Sequence, residues 1–231
     1  MIWIIIPAYN EERALPGTLR QLFSQSGRYE VLVVDGGSVD RTEVIVQAEP
    51  RARLLTARKG RASQMNAGAR EAALRGAAPQ DWLLFLHADT VLPDRALERL
   101  NGMETDPTVQ AGGFLHRFSG LDWRLRMISV LDNFRCRRFR IIYGDQALFV
   151  RRSLFERLEG FPDQPILEDV AFSEKLLRET RPVLLEPPVV TDSRKFVKMG
   201  IWRSFARVLL IILHVEFRLP FLPRAFFQDI R

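Results

Sequence analysis

Apolar residues fall in short blocks through the first ninety positions, at residues 2–6, 30–34, 53–55 and 82–86. Brief, continuous apolar runs bounded by turn residues predict strands buried on both faces. Between them lie polar-apolar stretches of helical period. Asn10-Glu11-Glu12 opens the first, with Asn10 as its cap and two acids in the first turn, and it runs to about residue 26. Further helices are expected over 40–48 and 64–75, with a loop at 58–63. Strands that alternate with helices predict a parallel sheet. Right-handed crossovers place all its C-terminal strand tips on one edge. Residues 7–9, 35–38, 58–61 and 87–89 are therefore expected to converge.

The second half is less regular. Residues 109–118 read as a strand interrupted by Gly112-Gly113, 121–134 as a helix and 146–150 as a short strand. A helical turn at 154–158 precedes Gly160-Phe161-Pro162, and Glu168-Asp169 begins a helix that reaches about 178. A last strand at 183–185 is expected to stop at Pro187-Pro188, and a basic, aromatic helix follows from 200 to 219. The whole is an α/β chain with a mostly parallel, mixed sheet flanked by helices and a C-terminal basic-aromatic helix.

Composition narrows the partners. The chain has 231 residues, 47% of them hydrophobic, enough for a substantial core. The net charge of +6 comes mainly from arginine, whose fork suits phosphate. Cys136 stands alone, so neither an internal disulfide nor a thiolate metal cluster is available, and a reducing cytoplasm is expected. Its neighbours Arg135, Arg137 and Arg138 could lower the thiol pKa, but Cys136 is expected to be a bystander rather than a nucleophile. The first residues read as a buried strand rather than a signal peptide. The apolar stretch 208–215 is far short of the ~20 residues that span a bilayer.

His87-Ala88-Asp89 carries the most chemistry, because it delivers a carboxylate to the tip of a buried strand. Such a carboxylate can hold Mg²⁺ or Mn²⁺ against phosphate oxygens. Its structural alternative is a cap, by Asp89 or Thr90, for a helix starting near Pro93-Asp94. At the other tips Tyr9 offers an aromatic face to a nucleobase and Asp35 an acceptor for a base N–H. Arg58, Lys59 and Arg61 offer cations to a diphosphate. Asp35 could equally stabilise its own turn. Glu168-Asp169 reads as two acids favoured by a helix dipole, or as a general base.

Three segments together resemble the successive signatures of family 2 glycosyltransferases. They are Ile6-Pro7-Ala8-Tyr9-Asn10-Glu11, Asp35-Gly36-Gly37-Ser38-Val39-Asp40-Arg41-Thr42 and His87-Ala88-Asp89. The stretches at 60–69 and 144–152 are similar to the subgroup called radical-SAM/selenodomain-associated, or arsenosugar biosynthesis, glycosyltransferases. The resemblance runs to about Gly200. It implies a Rossmann-like GT-A domain over 1–199 and an appendage over 200–231. It implies an inverting transfer of a sugar from a nucleoside-diphosphate donor to an acceptor hydroxyl, a hexosyltransferase-type reaction.

The same resemblance implies roles. Pro7, Ala8, Tyr9 and Glu11 would line the nucleotide pocket and Asp35 would meet the base. Asp89 would bind Mn²⁺ or Mg²⁺ on the diphosphate. His87 stands where the family has an acid, which favours Mn²⁺. Arg58, Lys59, Arg61, Gln64 and Arg194 complete the donor side. Gly113, Asp145, Gln146 and Glu168 fall on the acceptor side, and Asp169 would be the catalytic base. A lipid-linked acceptor is implied by relatives. The basic-aromatic tail would then rest on the anionic inner face of the cell membrane, pack on the domain, or make a homodimer contact. No nucleic-acid partner is expected, since no known reader motif appears.

Competing readings fare worse. A nucleotidyltransferase wants a Gly-rich phosphate loop where Pro7-Ala8-Tyr9-Asn10 stands, and a dehydrogenase wants Gly-x-Gly-x-x-Gly. A non-catalytic nucleotide-sugar-binding or membrane scaffold protein remains the alternative, motivated by His87 alone. His116 and His214 are expected to be packing or surface residues.

Overall fold

The computed structural model describes residues 1–164 and 166–216, apart from the side chains of 195, 208 and 211–216. The tail beyond 216, with its arginines and phenylalanines, and the His214 side chain lie outside the described residues.

Eight strands make one mixed sheet: β1 (Ile2–Ala8), β2 (Tyr29–Asp35), β3 (Ala52–Thr56), β4 (Trp82–Phe85), β5 (Thr90–Val91), β6 (Ala111–Phe118), β7 (Phe149–Arg151) and β8 (Val183–Thr191). Their order is β3-β2-β1-β4-β7-β6-β8-β5. The first four pair in parallel, as the alternation with helices requires. β7 runs against both β4 and β6 and so joins the two halves.

The apolar runs are continuous because both faces are covered. Ile2, Ile4 and Ile6 point to one core with Leu15, Leu19 and Leu97. Trp3 and Ile5 point to the other, with Met65, Phe155 and Phe172. These come from the flanking helices α1 (Leu15–Leu22), α3 (Arg61–Leu74), α4 (Ala96–Gly102), α6 (Arg152–Arg157) and α7 (Glu168–Glu179). A short α2 (Thr42–Gln47) links β2 to β3. A third, smaller cluster joins α5 (Trp123–Phe139) to α9 (Ile201–Glu216) through Leu125, Ile128 and Ile201, and α8 (Arg194–Lys198) precedes it.

Three local expectations give way. The first helix starts at Leu15 rather than near Asn10. Asn10 is left-handed, at φ 55°, and its side chain accepts from the Val39 N–H at 2.9 Å. The N–H groups of Glu11 and Glu12 donate to Thr42 Oγ1 and Asp40 Oδ2. The donors a helix terminus would offer are spent on the neighbouring loop, which moves the start downstream. Second, no helix is capped by Asp89 or Thr90: Thr90-Val91 is strand β5, paired with Thr191 and Val190. Helix α4 begins later, after a left-handed Arg95. Third, β8 runs straight through Pro187-Pro188, with a cis Glu186–Pro187 bond and a register shift opposite residues 114–116 of β6. Proline ends a strand only where its missing N–H is needed, and here the ladder is already broken.

Candidate active site

The strand tips converge. The Gly36 N–H donates to the Ala8 carbonyl at 2.9 Å, and the Asn10 N–H to Ser38 Oγ at 2.9 Å. Ala57 N–H bonds the Asp35 carbonyl at 2.9 Å, which adds the third tip. Gln64 reaches from α3 and donates through Nε2 to the carbonyls of Ala8 and Val34, each at 2.7 Å. It is buried, so its donors serve the scaffold: Gln64 ties the β1 and β2 tips together from beneath.

Side chains at this rim sort into exposed and engaged. Lys59 Nζ lies 3.6 Å from the centre of the Tyr9 ring, a cation–π contact that joins the first and third tips. Arg58 pairs with Asp163 at 2.5 Å, both largely exposed. Asp35 is fully buried. It accepts from the Gly37 and Ser38 N–H groups at 2.7 and 2.8 Å and from the Ser38 hydroxyl. The turn-stabilising role is thus present, and it fixes the Gly36–Ser38 segment beside Ala8. Pro7 and Ala8 are buried in β1 and contribute backbone.

The β4 tip meets the second half of the chain at one glycine. Gly144 opens a 3₁₀ turn, Gly144–Gln146. Its N–H donates to Asp169 Oδ2 at 2.5 Å. A Cβ at Gly144 would lie 2.7 Å from both Cε1 and Nε2 of His87 and 3.2 Å from Asp169 Oδ2. His87 and Asp169, 82 positions apart in the sequence, therefore face the same few cubic ångströms. Asp89 is half-buried two residues on, and its carbonyl accepts from the Asp192 N–H at 3.0 Å. That bond brings the start of α8 to the same tip. There Arg194 pairs with Asp192 at 2.5 Å.

Burial pushes the Asp169 carboxyl above the usual carboxylate range. The Gly144 and Val170 N–H groups and Arg61 pull it back, and nearby Asp145 pushes it up again. A raised pKa strengthens the carboxylate as a proton acceptor. Asp145 also lies 3.4 Å from Nε2 of His116, within ion-pair range, though no hydrogen bond of good angle forms there. His116 is buried in β6. Its N–H and carbonyl are both clamped by the Asn133 carboxamide, at 2.9 and 2.8 Å.

Two residues expected on the acceptor side are engaged within the framework. Gly113 is buried, and a Cβ there would meet Ile142 at 2.6 Å, so it lets Ile142 close over β6. Gln146 is buried too. Its Oε1 accepts from the Tyr143 N–H at 2.9 Å, which closes its own turn. Glu168 is buried at the start of α7 beside Asp169. Cys136 is buried as well, and burial drives its thiol pKa up, outweighing the arginines that the sequence places beside it. Gly144 carried no role in the sequence reading, although it sits in the Gly144-Asp145-Gln146 motif. A glycine directly before an acid in a resembled motif was the available signal.

Among the described residues, no group of three or more His, Cys, Asp or Glu side chains is placed to hold a metal ion. One carboxylate and one imidazole at a strand tip fit a cation whose remaining ligands come from phosphate oxygens and water, rather than a protein cage. A groove of about 500 Å³ along α3 and α6, lined by Arg70, Leu83, Arg152 and Phe155 among others, is separate from this rim.

A family model described as Glycosyl transferase family 2 matches residues 3–158, which stops short of Asp169. A comparison with curated proteins returns no match. Among solved structures, S. aureus TarS 1–349 in complex with UDP-GlcNAc is similar, with a TM-score of 0.62 and 19% identity; the alignment covers 84% of this chain and 58% of that one. The mannosyltransferase PcManGT from Pyrobaculum calidifontis, in complex with GDP-Man and Mn²⁺, gives 0.62 at 24% identity over 99% and 68%. TarS 1–349 with UDP gives 0.63 at 18% identity over 98% and 68%. At these identities the likeness is one of fold, and that fold is GT-A.

Proposed function

Since the chain belongs to glycosyl transferase family 2 and so is a glycosyltransferase, we propose that it moves a sugar from a nucleoside-diphosphate donor to an acceptor hydroxyl with inversion. The observation that carries this reading is the meeting of His87 and Asp169 across Gly144. One belongs to the motif expected on the diphosphate, the other to the motif expected to hold the base.

The donor lies along the β1, β2 and β4 tips. Tyr9 and Lys59 flank the base side, Asp35 and Glu11 lie beside them, and Arg61 and Arg194 face the diphosphate. Asp89, with His87 beside it, would hold Mn²⁺ or Mg²⁺, which neutralises charge on the leaving diphosphate. The Mn²⁺ and GDP-Man of the Pyrobaculum neighbour support this choice. Asp169 takes the proton of the acceptor hydroxyl as its oxygen attacks the anomeric carbon, and the Gly144 N–H fixes which carboxylate oxygen faces it. Asp145 and Glu168 complete the acceptor side. The acceptor is carried on a lipid, and the subgroup kinship rests on the stretches at 60–69 and 144–152.

The test combines binding and turnover. UDP, GDP and their sugars, with and without Mn²⁺, are screened for a rise in melting temperature, which follows occupancy by mass action. With the donor so identified, Asp169→Asn is expected to keep the stabilisation and to lose about 10²–10⁴-fold in diphosphate release. No stabilisation by any donor defeats the reading; stabilisation without release by the wild type favours the scaffold alternative.

A further inference from the structure

Helix α5 carries apolar residues on both its buried and its exposed side. Its inner face packs Leu125, Ile128 and Cys136 into the protein. Its outer face carries Trp123, Val130, Leu131 and Phe134, at helical spacings of seven, one and three, and these are 65, 66, 47 and 70% exposed. Helix α9 repeats the pattern with exposed Trp202, Leu209 and Leu210. The Trp123 and Trp202 rings touch at 6.3 Å between centroids, so the two stripes are continuous. An apolar surface of this extent marks an interaction site.

The charges around it are of one sign. Arg126 and Arg138 on α5 and Arg203 on α9 are exposed along the stripe. The sole acid within α5, Asp132, is tied to Arg135 at 3.2 Å. No described helix is long and apolar enough to cross a bilayer. An exposed stripe of aromatic and aliphatic residues flanked by arginines suits the headgroup region of an anionic membrane. A second copy is disfavoured, because a two-fold contact would set arginine against arginine.

We propose that the outer faces of α5 and α9 together form a docking surface for an anionic lipid bilayer. The surface lies beside the acceptor side: α5 ends at Phe139, and the Gly144–Gln146 turn that bonds Asp169 follows four residues on. This deepens the reading of a lipid-borne acceptor, and only the route of that acceptor rests on the proposed function.

The full chain is sedimented with phosphatidylcholine vesicles, with and without phosphatidylglycerol. Binding is expected to require phosphatidylglycerol and to weaken with salt. Val130→Asp with Phe134→Asp should abolish it, and both sites are exposed enough to leave the fold intact, checked by the melting temperature. Arg126→Gln with Arg138→Gln should weaken partition roughly 25-fold, about fivefold per arginine. Stabilisation by nucleotide should be unchanged in all variants, which separates this outcome from failure of the proposed function. Equal binding to neutral vesicles, no vesicle binding by the wild type, or unaltered binding by the aspartate variant overturns the proposal. So does a dimer in light scattering that the aspartate variant dissociates.

Discussion

Gly144→Ala tests the site more sharply than removing a carboxylate. Gly144 is not at positive φ, so alanine fits its backbone without strain. The new methyl is the whole perturbation. It would stand 2.7 Å from Cε1 and Nε2 of His87 and 3.2 Å from Asp169 Oδ2. Non-bonded carbons rest at about 3.5–4.0 Å, so the imidazole must retreat by about 1 Å. The cost to the fold is about 1–3 kcal/mol, typical of one extra methyl in a packed place. The cost to chemistry is larger, because a misplacement of about 1 Å lowers turnover about 10²-fold. Diphosphate release from the stabilising donor should therefore fall about 10²-fold in kcat while the melting temperature drops by about 2–12 °C and the protein stays folded at the assay temperature. A variant that turns over at the wild-type rate would show that His87 and Asp169 do not share the reacting centre.

Other expectations follow from single groups. Gln64→Ala removes the bonds to the Ala8 and Val34 carbonyls and the longer one from the Gly60 N–H, opens a buried space, and should cost about 2–4 kcal/mol in urea unfolding. Burial, opposed by Arg135, raises the Asp132 carboxyl from 3.8 to about 6. The folded state then holds the proton more tightly than the unfolded chain between pH 4 and 6, so stability falls as pH rises through that window, by up to about 3 kcal/mol. Asp132→Asn should flatten that slope in urea titrations at pH 4 and 7; an unchanged slope refutes the assignment. Cys136, buried and with its thiol pKa raised, should resist a thiol reagent at pH 8 until the protein is unfolded. Fast labelling of the native chain would contradict its burial.

The chain's own order wrote most of the sheet. Residues 2–6, 30–34, 53–55 and 82–86 became β1 to β4 because each must be apolar on both faces to lie between two helix layers. Parallel connection then forces their tips to one edge, and Tyr9, Asp35, Lys59 and His87 stand there. The roles of individual side chains were not legible in that way. Asn10 looked like a cap and became a clasp to Val39, since the loop from β2 lay within reach to take its hydrogen bond. Cys136 was expected to be a bystander despite its arginine neighbours, and it turns inward, where burial raises its thiol pKa.

Periodicity and chain connectivity are local and directional, and they suffice to place the edge at which chemistry gathers. Which groups touch at that edge is set by long-range packing. The 3₁₀ turn at Gly144 puts Asp169 beside His87, the Asn133 clamp aims His116 at Asp145, and the broken ladder lets β8 pass through two prolines. Each of these depends on distances between residues far apart in the chain, and no local pattern of residues encodes such a distance.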